Sequence, residues 1–195
     1  NSKQLMAHPE FFQEFCDSIV TFEGEEPLHR LLTTLKNGST LKNVPNLLFC
    51  EDGKVESNEE RVELRFEEMP PPTFDGLPMD LYLSPYPILP VLQSRGCYWG
   101  KCTFCTHSFI YGHRYGKQRT EQMVDELENL AKKYKTKYFT FSDEAVSPHS
   151  LNDVSEEIIK RDVDIKSLAL LKFEKVMDQK LFEKMKQAGF IFLMY

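Results

Sequence analysis

No apolar run in this sequence approaches the ~20 residues that a membrane-spanning helix needs. The longest, Phe190 to Tyr195, is the length of a strand. A basic excess is missing too. Lys and Arg number 24 against 30 Asp and Glu, for a formal net charge of −6, so the chain has no electrostatic footprint for nucleic acid or an anionic membrane. No apolar h-region follows Asn1-Ser2-Lys3-Gln4, so no signal peptide is expected at that point. A disulfide framework is also missing. The cysteines number five, an odd count, and three of them fall within nine residues. Such crowding reads as metal binding in a reducing cytoplasm. Cys16 and Cys50 stand alone and read as small buried hydrophobes. What the chain does have is 41% hydrophobic and 12% aromatic residues over 195 positions. That is enough for one globular domain, or for one domain plus a remnant of another. It lacks an initial Met and stops inside an apolar run, so we expect a piece cut at both ends.

Ser18–Phe22 reads as a short strand, with no obvious partner nearby. The turn Glu23-Gly24-Glu25-Glu26 leads to Pro27, placed at the first helical position. Leu28, Leu31, Leu32 and Leu35 share one helix face, and Asn37-Gly38 ends the helix. Residues 46–50 and 54–56 form a hairpin around Asp52-Gly53. Residues 57–87 are polar, acidic or proline-rich and read as a linker wrapping a surface.

From Ile88 onward, strands and helices alternate. Strands are expected at 88–93, 138–141, 167–171 and 190–194. One helix, capped by Thr120, carries Met123, Val124, Leu127, Leu130, Ala131 and Tyr134. A second starts at Ser147-Pro148 and carries Leu151, Val154 and Ile158. A third, capped by Asp178, carries Leu181, Phe182, Met185 and Ala188 and closes at Gly189. This rhythm predicts an α/β fold with a parallel sheet of repeated βα units. Half of a (β/α) barrel and a doubly wound open sheet both satisfy the periodicity. In a barrel, the polar residues at the C-terminal strand ends form the site. Here those are Ser142, Asp143 and Glu144, then Lys172 and Glu174.

The segment Arg95-Gly96-Cys97-Tyr98-Trp99-Gly100-Lys101-Cys102-Thr103-Phe104-Cys105 follows the first of these strands. Three thiolates on a short loop can grip a metal centre, and Gly96 and Gly100 let the backbone bend close to it. Iron–sulfur clusters normally take four cysteines, so three leave one iron open to a cofactor or substrate. The bland alternative is a structural zinc on Cys97, Cys102, Cys105 and His107, in an α/β binding domain without chemistry. A second alternative is an electron carrier. His107, His113, Arg114 and Arg119 read as a polar loop packing nearby, and His149 as solvated. Trp99 either shields a cluster or fills a gap.

The loop resembles that of radical S-adenosylmethionine enzymes, with four rather than three residues between the first two cysteines. The resemblance covers about residues 85–195. It implies a 4Fe–4S cluster on Cys97, Cys102 and Cys105, with S-adenosylmethionine on the open iron and Phe104 near the adenine. Ser142, Asp143 and Glu144 would then line the cofactor or substrate site, and an external donor would supply one electron. Asp17 to Glu25 and the following helix resemble the end of the cobalamin-binding domain found in one subgroup. The usual histidine motif of that domain is not present, and neither His8 nor His29 sits in one. The implied division is residues 1–38 as a Rossmann-like cobalamin-domain remnant, 39–87 as hairpin and linker, and 88–195 as about half of a barrel. Such a piece is expected to be inactive alone and to self-associate through the edge at Phe190–Met194, unless the linker covers that edge.

Overall fold

A computed structural model of the chain describes residues 6–60, 69–107 and 114–194. Contacts divide it near residue 64 into two units. Among the described residues, no helix is long and apolar enough to cross a membrane.

In the second unit, β4 (Ile88–Val91), β7 (Tyr138–Phe141), β8 (Lys166–Leu170) and β9 (Phe190–Met194) form a parallel sheet in the order β4-β7-β8-β9. The crossovers are α3 (Thr120–Tyr134), α4 (Pro148–Lys160) and α5 (Gln179–Gln187). Each strand is added beside the last, without the reversal that marks a doubly wound sheet. The helices pack side by side, α3 on α4 and α4 on α5. One face of the sheet supplies Leu89, Val91, Phe139, Phe141 and Ala169 to a core completed by Met123, Leu127, Leu151, Ile158 and Met185. The other face carries the row Pro90, Thr140, Leu168 and Phe192 in register. None of these four residues is buried, although parallel sheets are ordinarily covered on both faces.

The helix ends follow their local chemistry. The Ser147 hydroxyl accepts from the Ser150 amide at 3.2 Å, with Pro148 at the first helical position. The Asp178 carboxylate accepts from the Leu181 amide at 2.9 Å. Gly189, at φ +94°, follows the α5 cap, and a Cβ there would lie 2.0 Å from the Ile165 carbonyl oxygen. Thr120 is not the cap of α3. Arg119 holds that position and makes no side-chain cap bond.

The described part of the linker is fastened to α3. Phe74 donates its amide to Tyr134 Oη at 2.7 Å and packs its ring edge-on at 5.5 Å. Asp75 accepts from Tyr134 at 2.9 Å and from Lys133 at 2.5 Å. It does not cover the β9 edge, where Ile191, Phe192 and Met194 are exposed.

The first unit contains α1 (Pro9–Glu14), which sequence reading missed, then β1 (Ser18–Val20), α2 (Glu25–Lys36), β2 (Leu47–Glu51) and β3 (Lys54–Ser57). β1 does have a partner: it pairs antiparallel with β2, which pairs antiparallel with β3. The expected βα unit and hairpin therefore share one sheet across residue 38. Their antiparallel pairing differs from the parallel βαβ unit of a Rossmann-like domain. The hairpin turns at Asp52 and Gly53, both at positive φ. Helix α2 starts two residues before Pro27, which still lies in the first turn, where no helical acceptor awaits its missing N–H. Its leucine face is not a buried one. Leu31 packs on Val44, Leu47 and Phe49, while Leu28, Leu32 and Leu35 are 51%, 59% and 60% exposed.

Candidate active site

The chain leaves the C-terminal end of β4, forms β5 (Ser94–Arg95), runs through the cysteine segment and returns as β6 (Gly116–Lys117), antiparallel to β5. Gln93 and Gln118 close the base of this excursion. The Gln118 amide donates to the Gln93 carbonyl at 2.9 Å, and Gln93 Nε2 donates to the Gln118 carbonyl at 3.1 Å. Gln118 Nε2 reaches the Leu92 carbonyl at 2.8 Å. Gly96 is required here. Its φ is +77°, and a Cβ would lie 2.2 Å from the Arg114 carbonyl oxygen.

All three thiols are free of disulfides. Cys97 and Cys105 are half-buried and Cys102 is exposed, and the Cys105 amide donates to the Cys102 carbonyl at 3.4 Å. As donors, three free thiols on one loop at a strand's C-terminal end fit an iron–sulfur cluster in kind, and their number would leave one iron without a protein ligand. Among the described residues, no group of three or more His, Cys, Asp or Glu side chains stands at metal-holding distances, so neither the three cysteines nor the set with His107 is gathered around a point. Phe104 is 88% exposed.

The end of β7 meets the base of this loop. The Ser142 amide donates to the Val91 carbonyl at 2.8 Å. Asp143 is buried. It accepts the Gln93 amide at 3.1 Å and the Ser94 hydroxyl at 2.5 Å. Burial pushes its carboxyl up to about 6, against the pull of those hydrogen bonds. Asp143 thus positions the loop base, while Ser142 is exposed to solvent. Glu144 Oε1 lies 3.7 Å from His107 Nδ1.

The segment after β8 reaches the loop as well. Tyr98 donates its hydroxyl to Glu174 Oε1 at 2.7 Å. Burial, then this bond, holds the phenol above its ordinary pKa, so it remains a donor. Lys172 Nζ stands 3.7 Å from the centroid of the Trp99 ring, and Lys101 Nζ stands 5.1 Å from it. His149 is exposed beside Asp153, at 3.4 Å. His113 lies outside the described residues. Sequence reading missed Gln93, Ser94 and Gln118. Their only signal was polar side chains flanking the loop at a strand end.

No family model matches the chain. An uncharacterized methyltransferase of Pyrococcus horikoshii is 31% identical over 188 residues, covering 93% of this chain and 40% of that protein. The anaerobic magnesium-protoporphyrin IX monomethyl ester cyclase of Rubrivivax gelatinosus is 25% identical over 200 residues, covering 94% of this chain and 35% of that protein. Among solved structures, the radical S-adenosylmethionine methyltransferase TsrM from Kitasatospora setae superposes with a TM-score of 0.74 at 19% identity, covering 96% of this chain and 38% of that one. The cobalamin-dependent S-adenosylmethionine radical enzyme OxsB gives 0.70 at 21% identity, covering 94% of this chain and 28% of that one. The chain spans less than half the length of these relatives, and over that span it shares the fold of TsrM and OxsB.

Proposed function

We propose that this chain is the cluster-carrying portion of a radical S-adenosylmethionine enzyme of the cobalamin-associated type, acting in methyl transfer or another radical modification. The observation that carries this reading is three free thiols, Cys97, Cys102 and Cys105, on one loop at the C-terminal end of β4, in a fold shared with such enzymes. These cysteines would hold a 4Fe–4S cluster. The chemistry such a cluster supplies is one-electron reductive cleavage of S-adenosylmethionine. The chain's own residues prepare the place. The β5–β6 pairing and Asp143 hold the loop base, exposed Phe104 is free to meet the adenine, and Ser142 and Glu144 line the cofactor side. Residues 1–38 would be the C-terminal remnant of a cobalamin-binding domain, and an external donor would deliver the electron.

Self-association belongs to the same proposal. The β4 edge is blunted by Pro90, which lacks an N–H, whereas β9 presents Phe190-Ile191-Phe192-Leu193-Met194 with neither proline nor charge. An edge of that kind pairs with another strand, and sedimentation at low micromolar concentration should find more than monomer.

Anaerobic reconstitution with iron and sulfide, followed by metal analysis, tests the function. The expected result is about four irons per chain, lost when the three cysteines are replaced by alanine. Stoichiometric zinc with no iron uptake would overturn it in favour of a zinc site.

A further inference from the structure

We infer that Lys172 and Glu174 are positioning residues for the cysteine loop, forming a two-point latch on Tyr98 and Trp99 that fixes where Cys97 stands. This rests on the reading of that loop as the cluster loop. Tyr98 and Trp99 are the two residues immediately after Cys97. Each is gripped by one of two residues that lie two apart beyond β8. Glu174 accepts the Tyr98 hydroxyl at 2.7 Å, a bond to a charged acceptor and so among the stronger kind. Lys172 Nζ sits 3.7 Å from the Trp99 centroid, well inside cation–π range. The two charges also lie 3.7 Å from each other, with side chains only 35% and 25% exposed, so the pair compensates its own charge in a partly dry place.

The geometry is that of a strap. The loop leaves β4, but Lys172 and Glu174 follow β8, and β7 stands between those strands in the sheet. The loop is therefore drawn over the end of β7, where His107 meets Glu144. The stretch between these anchors holds exposed Cys102 and exposed Phe104. The latch thus sets the first cysteine and leaves the middle of the loop open to solvent.

Trp99 is the chain's single tryptophan, so its emission reports the latch without any metal. Trp99 is already 37% exposed; Lys172→Met should release the ring further and raise acrylamide quenching about twofold, while Lys172→Arg, which keeps a cation over the ring, should behave as wild type. After anaerobic reconstitution, Lys172→Met and Glu174→Leu should release iron to a chelator about fivefold faster than wild type. Lys172→Arg and Glu174→Gln should restore slow release, because the glutamine oxygen still accepts from Tyr98. Unchanged Trp99 quenching in Lys172→Met would overturn the latch. Changed quenching with wild-type iron release in every variant would overturn its role toward the cluster. If even wild type takes up no iron, the cluster reading fails, and the quenching comparison still decides whether the latch exists.

Discussion

Helix α2 of the first unit and helix α4 of the second carry apolar residues at the same helical spacing, yet only one of them buries the stripe. In α4, Leu151, Val154 and Ile158 are no more than 1% exposed. In α2, Leu28, Leu32 and Leu35 are more than half exposed, and only Leu31 reaches the small core of Val44, Leu47 and Phe49. The difference lies in what each helix can lie against. Three parallel crossovers place α3, α4 and α5 side by side on one sheet, and every strand adds to a common core. The three-stranded antiparallel sheet of the first unit offers α2 much less apolar surface. A buried leucine contributes about 2 kcal/mol, so the same letters stabilise one unit strongly and the other weakly.

The largest expected effect tests that contrast directly. Phe139→Ala empties a site at the centre of the larger core and should destabilise the second unit by about 3–5 kcal/mol. Leu32→Ala should change stability by no more than about 0.5 kcal/mol. Urea unfolding followed by Trp99 emission reads the first, and far-UV circular dichroism reads the second. Equal losses would mean that the leucine face of α2 is covered in solution.

A second contrast uses two glycines of nearly equal φ. Gly96 (+77°) faces the Arg114 carbonyl, whereas Gly53 (+75°) has open space where a Cβ would be. Gly53→Ala should cost about 1 kcal/mol, from backbone strain alone. Gly96→Ala adds a steric collision and should cost about 3–4 kcal/mol, with loss of the β5–β6 pairing visible in amide exchange. Similar costs for both would show that the loop base yields easily.

The smallest effect concerns charge. Among the described residues, the buried polar residue of the first unit is neutral Asn46, whereas the second unit buries Asp143 and Glu126. Burial raises the Asp143 carboxyl from 3.8 to about 6. A raised value means that the folded state holds the proton more tightly. The stabilisation is complete below about pH 4 and is lost as pH rises through about 6, by no more than about 3 kcal/mol. Asp143→Asn should flatten this slope in the second unit, because the amide oxygen still accepts from Gln93 and its NH₂ can donate to Ser94. An unchanged slope would place the titration elsewhere.

The cysteine loop, the βα rhythm, the Ser147 and Asp178 caps and the Asp52-Gly53 turn were all legible in the sequence, because each is decided by neighbours a few residues apart. The cap of α3 was misplaced by one residue, since Arg119 offers no capping side chain to recognise. The pairing of β1 with β2 was not legible, because nothing local to Ser18–Val20 names a strand 29 positions away. Asp143 stood out as a polar strand end, but its burial and its bonds to Gln93 and Ser94 did not. Those depend on β4 and β7 lying side by side in register.

By itself, the sequence determined that three thiols lie on a glycine-bearing loop after a strand, and which segments are amphipathic. Those properties follow from composition and from periods of two and 3.6 residues along the chain. Only the tertiary structure decided which amphipathic faces found a partner, that the strands add in one direction, and that Lys172 and Glu174 come to rest on Trp99 and Tyr98. Contacts across more than seventy residues form because the whole sheet assembles, and no local pattern encodes them.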